Sequence, residues 1–197
     1  VDTQDVVLPV VFFSDQSEIL DPQEVSIADA KNMPINEYVT IHGVLSTPDF
    51  GFNEALFYMQ DETAGIKVYS PDWGGINRDT PFSAGDSVEI TGFVGVYNGE
   101  SEVVGDDYIN HGHVGIPEAI HVGIEEVHPT SIYAGMRIKV NDLMLWNPEE
   151  WPTNPIEGPQ VRVGAEHVPT GTGLNVLIRG VTSYFDGSPV PEENFDM

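Results

Sequence analysis

Ser87-Val-Glu-Ile-Thr-Gly-Phe-Val-Gly-Val-Tyr-Asn-Gly99 decides the fold class, because it alternates apolar and polar residues and then ends in Asn-Gly. Alternation at period two marks a half-buried strand. Asn-Gly is the strongest short hairpin signal, since a type I′ turn needs positive φ at both central positions. Gly92, at the centre, is expected where the strand coils sharply around a barrel corner. The pattern returns 88 positions on as Asn175-Val-Leu-Ile-Arg-Gly-Val-Thr-Ser-Tyr-Phe-Asp-Gly187, again with a central glycine, an aromatic and a turn dipeptide.

Upstream, Ala55-Leu-Phe-Tyr-Met-Gln60, the turn Asp61-Glu-Thr-Ala-Gly65 and Ile66-Lys-Val-Tyr69 predict another hairpin. Asp61 is expected to cap backbone N–H groups in that turn. Val25-Ser-Ile-Ala-Asp-Ala30 predicts a short helix with Ser26 as N-cap, and Tyr38-Val-Thr-Ile-His-Gly-Val-Leu45 an alternating strand. The same order recurs as Val122-Gly-Ile-Glu-Glu-Val127 before Met136-Arg-Ile-Lys-Val-Asn-Asp-Leu-Met-Leu145, with Val122 lying 97 positions beyond Val25. The offset shrinks towards the C-terminus, so the second unit is the shorter between its first strand and its hairpin.

Short strands with glycine at bends and a single short helix describe a small barrel of the OB type more economically than a sandwich. The chain therefore reads as all-β, two tandem OB-like five-stranded barrels with short helices, although any meander of hairpins carries the same pattern. The expected divisions are an N-terminal extension at 1–24, a first unit at 25–110, a linker at 111–121 and a diverged second unit at 122–197. The Gly- and His-rich stretch 106–117 is read as connector.

The runs at 39–44, 57–69 and 85–99 closely resemble the OB-fold domains of secreted bacterial nucleases. Tyr133-Ala-Gly-Met-Arg-Ile-Lys-Val140 is similar to that family's strand entry, and Gly180-Val-Thr-Ser-Tyr-Phe-Asp-Gly187 to its closing hairpin. The Phe-Tyr-x-Gln-Asp hairpin has no counterpart in the second unit. Such domains accompany a separate catalytic domain, so the resemblance implies an accessory nucleic-acid-binding role.

Charge pulls the other way. With 7 Lys and Arg against 32 Asp and Glu, the net charge is −25. Such a surface repels phosphate backbones over a Debye length of about 8 Å at physiological salt, and nucleic-acid binders normally show the opposite footprint. Single-stranded nucleic acid is thus disfavoured by charge, and a protein or glycan partner is the alternative. The chain has no cysteine, which excludes disulfides, thiolate zinc sites and cysteine nucleophiles. The longest apolar stretch, Val6 to Phe13, contains Pro9 and is too short for a membrane span. A first residue of Val fits a secretory chain, extracellular or periplasmic, whose signal peptide has been removed, and fits a cloning boundary equally.

Enzyme signatures are missing: no Gly-x-Ser-x-Gly, no His-Glu-x-x-His and no phosphate-cradling glycine loop, so a non-catalytic binding protein is expected. Lys67 and Tyr69 fall at alternate positions of a strand lining the usual OB groove, with Trp73, Arg78 and Tyr97 in adjoining loops or the hairpin tip. Exposed aromatics there can stack on bases or sugars; core packing is the competing role. Trp146 and Trp151 bracket Asn147-Pro-Glu-Glu150 in the second unit and suit a sugar or protein partner. His111, His113 and His121 near the junction offer a metal-binding alternative, since His-x-His on a strand projects both rings to one face. A divalent cation, calcium or zinc, is the cofactor this would imply, and the paired carboxylates otherwise read as solvated surface.

Overall fold

The alternating runs become strands whose inward residues share one core. The computed structural model describes residues 21–74, 81–128, 130–150 and 161–178. In chain order the first elements are β1 Gln23–Glu24, α1 Ile27–Ala30, β2 Tyr38–Leu45, β3 Ala55–Gln60, β4 Gly65–Ser70, β5 Asp86–Tyr97 and β6 Glu100–His113. Pairing runs β2-β3-β4-β6-β5, and β5 returns to β2, so five strands close into a barrel. β4 and β6 are parallel, the other ring pairs antiparallel, and β1 adds parallel to β2 outside the ring. This is an OB-like barrel.

Phe57, Met59, Ile66, Val68, Ile41 and Ile90 point inward and are fully buried. The amphipathic pattern of α1 adds Ile27 and Ala30 to the same core. Its N-cap is Ser26, whose side chain accepts from the Asp29 amide, as the sequence predicts. Asn98 and Gly99 turn between β5 and β6 with φ of 53° and 82°, the geometry the dipeptide signals. At Gly92 a Cβ would lie 2.2 Å from the Val104 carbonyl oxygen, beside a register shift, so only glycine lets β6 approach there.

Asp61 ties the β3–β4 turn to the helix. Its carboxylate accepts from the amides of Thr63 (2.7 Å) and Ala64 (2.9 Å), from the Thr63 hydroxyl (2.6 Å), and across the fold from the Ile27 amide (2.9 Å). Burial pushes its pKa up, but these donors together outweigh burial and hold it below the ordinary 3.8. A depressed carboxylate stabilises the fold above its unfolded pKa, and that contribution is lost as pH falls through the folded value. Asp61→Asn is therefore expected to cost about 1–3 kcal/mol at neutral pH. In urea melts the gap to the parent should narrow once the pH is well below 3.8; a gap independent of pH would show that charge is not what the turn needs.

The chain departs from expectation in two places. Residues 106–113, read as connector, continue β6 to His113. Asp, Gly and His have little strand preference of their own, so this part of β6 is set by the ladder that the first half of β5 offers it. The run Met136–Leu145 is not one strand but two, β8 Ile138–Lys139 and β9 Leu143–Leu145, after β7 Ile120–His121. Asn141-Asp142 breaks it, with Asp142 at φ 56°, a left-handed conformation Asp tolerates.

β7 pairs parallel with β8, and the Val122 amide donates to the Lys139 carbonyl, just as Val25 donates to Thr40 beside β1 and β2. A 3-10 turn, Ile124–Glu126, follows β7 as α1 follows β1. β10 Val161–His167 pairs antiparallel with both β9 and β11 Thr172–Ile178. The expected closing hairpin at 180–187 lies outside the described residues, and no second closed barrel is present among those described. The second half touches the first through its 131–137 turn. A Cβ on Gly65 would sit 2.2 Å from the Gly135 carbonyl carbon, and Lys31 Nζ donates to Gly65 O (3.0 Å) and Ala134 O (2.9 Å). Arg137 N donates to Gln60 Oε1 at 2.8 Å. No helix among the described residues is long and apolar enough to cross a membrane.

Candidate ligand-binding groove

Residues that alternate with the core on β3 and β4 face outward. Register sets Tyr58 opposite Lys67 and Leu56 opposite Tyr69, while Lys67 lies beside Glu102 of parallel β6. With Glu54 from the β2–β3 loop and Tyr97, Asn98 and Glu100 from the β5–β6 hairpin, they line a groove of about 670 Å³. This is the face of strands and loops that OB folds use for oligonucleotides and oligosaccharides.

The lysine is committed. Lys67 is 5% exposed, its ammonium lies 2.8 Å from Glu102 and 3.6 Å from Glu100, and it sits 4.7 Å from the centre of the Tyr97 ring. Tyr58 OH donates to Glu100 Oε2 at 3.2 Å. Tyr97 itself is 61% exposed, a broad face held in place by a cation beneath it. Among the described lining residues, three tyrosines and three carboxylates share the groove with one cation, Lys67, which Glu102 and Glu100 neutralise. Chemically, the groove offers rings to stack on and oxygens to accept from N–H or O–H groups. A cleft of about 620 Å³ shares Tyr58 and Glu100 with it and continues between the barrel and the 133–138 segment.

The other expected residues are dispersed. Trp73 fills the space over Gly105 and packs on Phe82 (5.8 Å between ring centres) and Tyr108 (5.0 Å), at the barrel core rather than in the groove. Arg78 and Trp151 lie outside the described residues. Trp146 is half exposed and lies across Gly164 of β10 and Gly173 of β11, with Nε1 donating to Glu166 at 3.3 Å.

Among the described residues, His111, His113 and His121 are not brought together as one ligand set. His113 Nδ1 lies 3.3 Å from Asp86, and His121 is exposed on β7. Alternation fails between His111 and His113 because a register shift and Gly112 at φ 98° intervene. His111 instead approaches Glu89, with Nε2 3.8 Å from its carboxylate.

Tyr58, Glu100 and Glu102 are groove residues that the strand reading passed over. The signal for Tyr58 was available, since once the Asp61–Gly65 turn pairs Gln60 with Gly65, Tyr58 must face Lys67. Glu100 was legible too, since the Asn98-Gly99 turn pairs it with Tyr97, whereas Glu102 was not, because it meets Lys67 only through the parallel pairing of β6 with a strand distant in sequence.

The chain matches no protein-family model. It is 30% identical over 126 residues to Endonuclease YhcR of Bacillus subtilis (strain 168), a match that covers 60% of this chain. The chain spans about 10% of that relative's length. Among solved structures, it aligns with the hypothetical protein ygiW from E. coli at a TM-score of 0.33 and 23% identity, over 45% of this chain and 89% of that one. It also aligns with the S. pombe Stn1-ten1 complex at a TM-score of 0.32 and 17% identity, over 40% of this chain and 60% of that one.

Proposed function

We propose that this chain is a non-catalytic, accessory binding module of a secreted or cell-envelope protein, built of two OB-like units, and that its groove takes single-stranded nucleic acid. The observation that carries the reading is Tyr58, Tyr69 and Tyr97 lining one groove on the ligand face of an OB-like barrel. The relative named as an endonuclease supports the ligand class, and the repeated β1/β2 and β7/β8 arrangement supports a second unit of the same kind. Binding would rest on ring stacking, with phosphates held outward from the carboxylates.

That mode has an unusual salt signature. Proteins that neutralise phosphates lose affinity steeply with salt. Here added salt screens repulsion from a chain of net charge −25, so affinity should stay flat or rise. Fluorescence anisotropy with labelled single-stranded DNA, with and without calcium, reads this directly. Tyr69→Ala and Tyr97→Ala should each weaken binding about 5- to 150-fold, the span of one stacked base. No binding in any buffer would sink the nucleic-acid reading.

The second reading is a neutral glycan. It is favoured by Glu54, Glu100 and Glu102 around a Lys67 already paired, since sugar hydroxyls donate to carboxylates and sugar rings stack on tyrosine. Binding of a neutral oligosaccharide that Tyr97→Ala abolishes, with none of DNA, would select it.

A further inference from the structure

We propose that His42, Glu89 and His111 form a divalent transition-metal site, with zinc as the fitting ion, on the outer face of the barrel. One side chain comes from each of three neighbouring strands. His42 on β2 is directly opposite Glu89 on β5, and Glu89 is opposite Ile109 on β6. His111, two residues beyond Ile109, carries the unpaired position of the β6 register shift, which leaves its ring diagonal to Glu89. A bulge that re-aims a side chain in this way is a recurrent device beside functional sites.

Glu89 is the hinge of the group. Its Oε2 lies 3.8 Å from His42 Nδ1 and 3.8 Å from His111 Nε2, and one ligand atom from each of the three lies within 4.8 Å of the others. Zinc bonds of about 2.1 Å in a tetrahedron set ligand atoms about 3.4 Å apart, so small side-chain rotations close the set. The opposite nitrogen of His42 has a use too. Nε2 lies 3.3 Å from Glu24 Oε1, and a carboxylate accepting from the outer N–H fixes the tautomer that leaves Nδ1 for the metal. Two imidazoles and one carboxylate leave a fourth position for water. The side chains are 46%, 26% and 48% exposed for His42, Glu89 and His111, so an ion can enter from solvent.

Donor type decides which ion. Imidazole nitrogen suits zinc, copper or nickel, whereas calcium requires six to eight oxygens. The site lies at the open end of the β5–β6 ladder, whereas Tyr97 stands at its hairpin tip, so it is independent of the groove.

The test is a thermal melt of the full chain with zinc chloride, beside isothermal titration. Zinc in hundredfold excess over Kd should raise the midpoint by about 5–10 °C with one ion per chain. Calcium at the same concentration should not match it. His42→Asn and His111→Asn should each remove most of the shift, whereas His113→Asn should keep it. These histidines are half exposed, so their apo melts should stay close to the parent's. An equal shift with calcium, a shift that survives the double variant H42N/H111N, or no shift with zinc would overturn the site.

Discussion

Phe57→Ala should destabilise the barrel by about 3–5 kcal/mol in urea melts, without a change in m-value. Phe57 is fully buried on β3, and its ring stands 4.6 Å from Phe82, which in turn packs at 4.8 Å on Tyr108. Truncation removes transfer energy and leaves a void between walls that cannot collapse, because each wall strand is hydrogen-bonded on both sides in a closed ring. The aromatic cluster it anchors also holds Trp73 against Gly105, so the loss should spread to the 71–74 segment. Val96→Ala on β5 is the control: Val96 is 52% exposed, and surface truncations usually stay within about 0.5 kcal/mol. A Phe57→Ala loss no larger than the control's would mean that the core is not organised around this ring.

The barrel was legible because its local signals agree with its topology. Period-two alternation fixed which residues of 38–45, 55–60 and 86–97 turn inward, and Asn98-Gly99 fixed the register of β5 on β6 near the turn. Asp61 was legible as a capping residue for its own turn, though its bond to Ile27, 34 positions upstream, was not. What escaped depends on contacts distant in sequence. The far half of β6 is strand because β5 is there, and Glu102 enters the groove only because β6 lies parallel to β4. Likewise His42 looked like one polar position in an alternating strand, and nothing local places it beside His111. Aromatic identity alone could not separate Trp73, in the core, from Tyr97, at the groove, since one follows a strand and the other ends one, each beside a glycine-containing turn.

Lys67→Met should cost about 3 kcal/mol although it adds hydrophobicity to a β-strand. Methionine keeps the length of the stem and removes only the ammonium, which leaves Glu102, itself 9% exposed, with an unbalanced buried charge next to Glu100. The cost therefore lies in the carboxylates left behind, not in the lysine lost. Glu102→Gln introduced with Lys67→Met should recover most of it, because replacing both members of a buried pair by neutral groups is often near neutral. The cycle closed by Glu102→Gln alone should give a coupling of about 1–3 kcal/mol. A surface pair would give less than about 1 kcal/mol and fade with salt; that outcome would mean water reaches the ammonium. The same variant separates the two ligand readings of the groove. Without its one cation beneath Tyr97, the groove carries an extra net negative charge. A polyanion should then bind more weakly, and a neutral sugar that stacks on Tyr97 should be little affected.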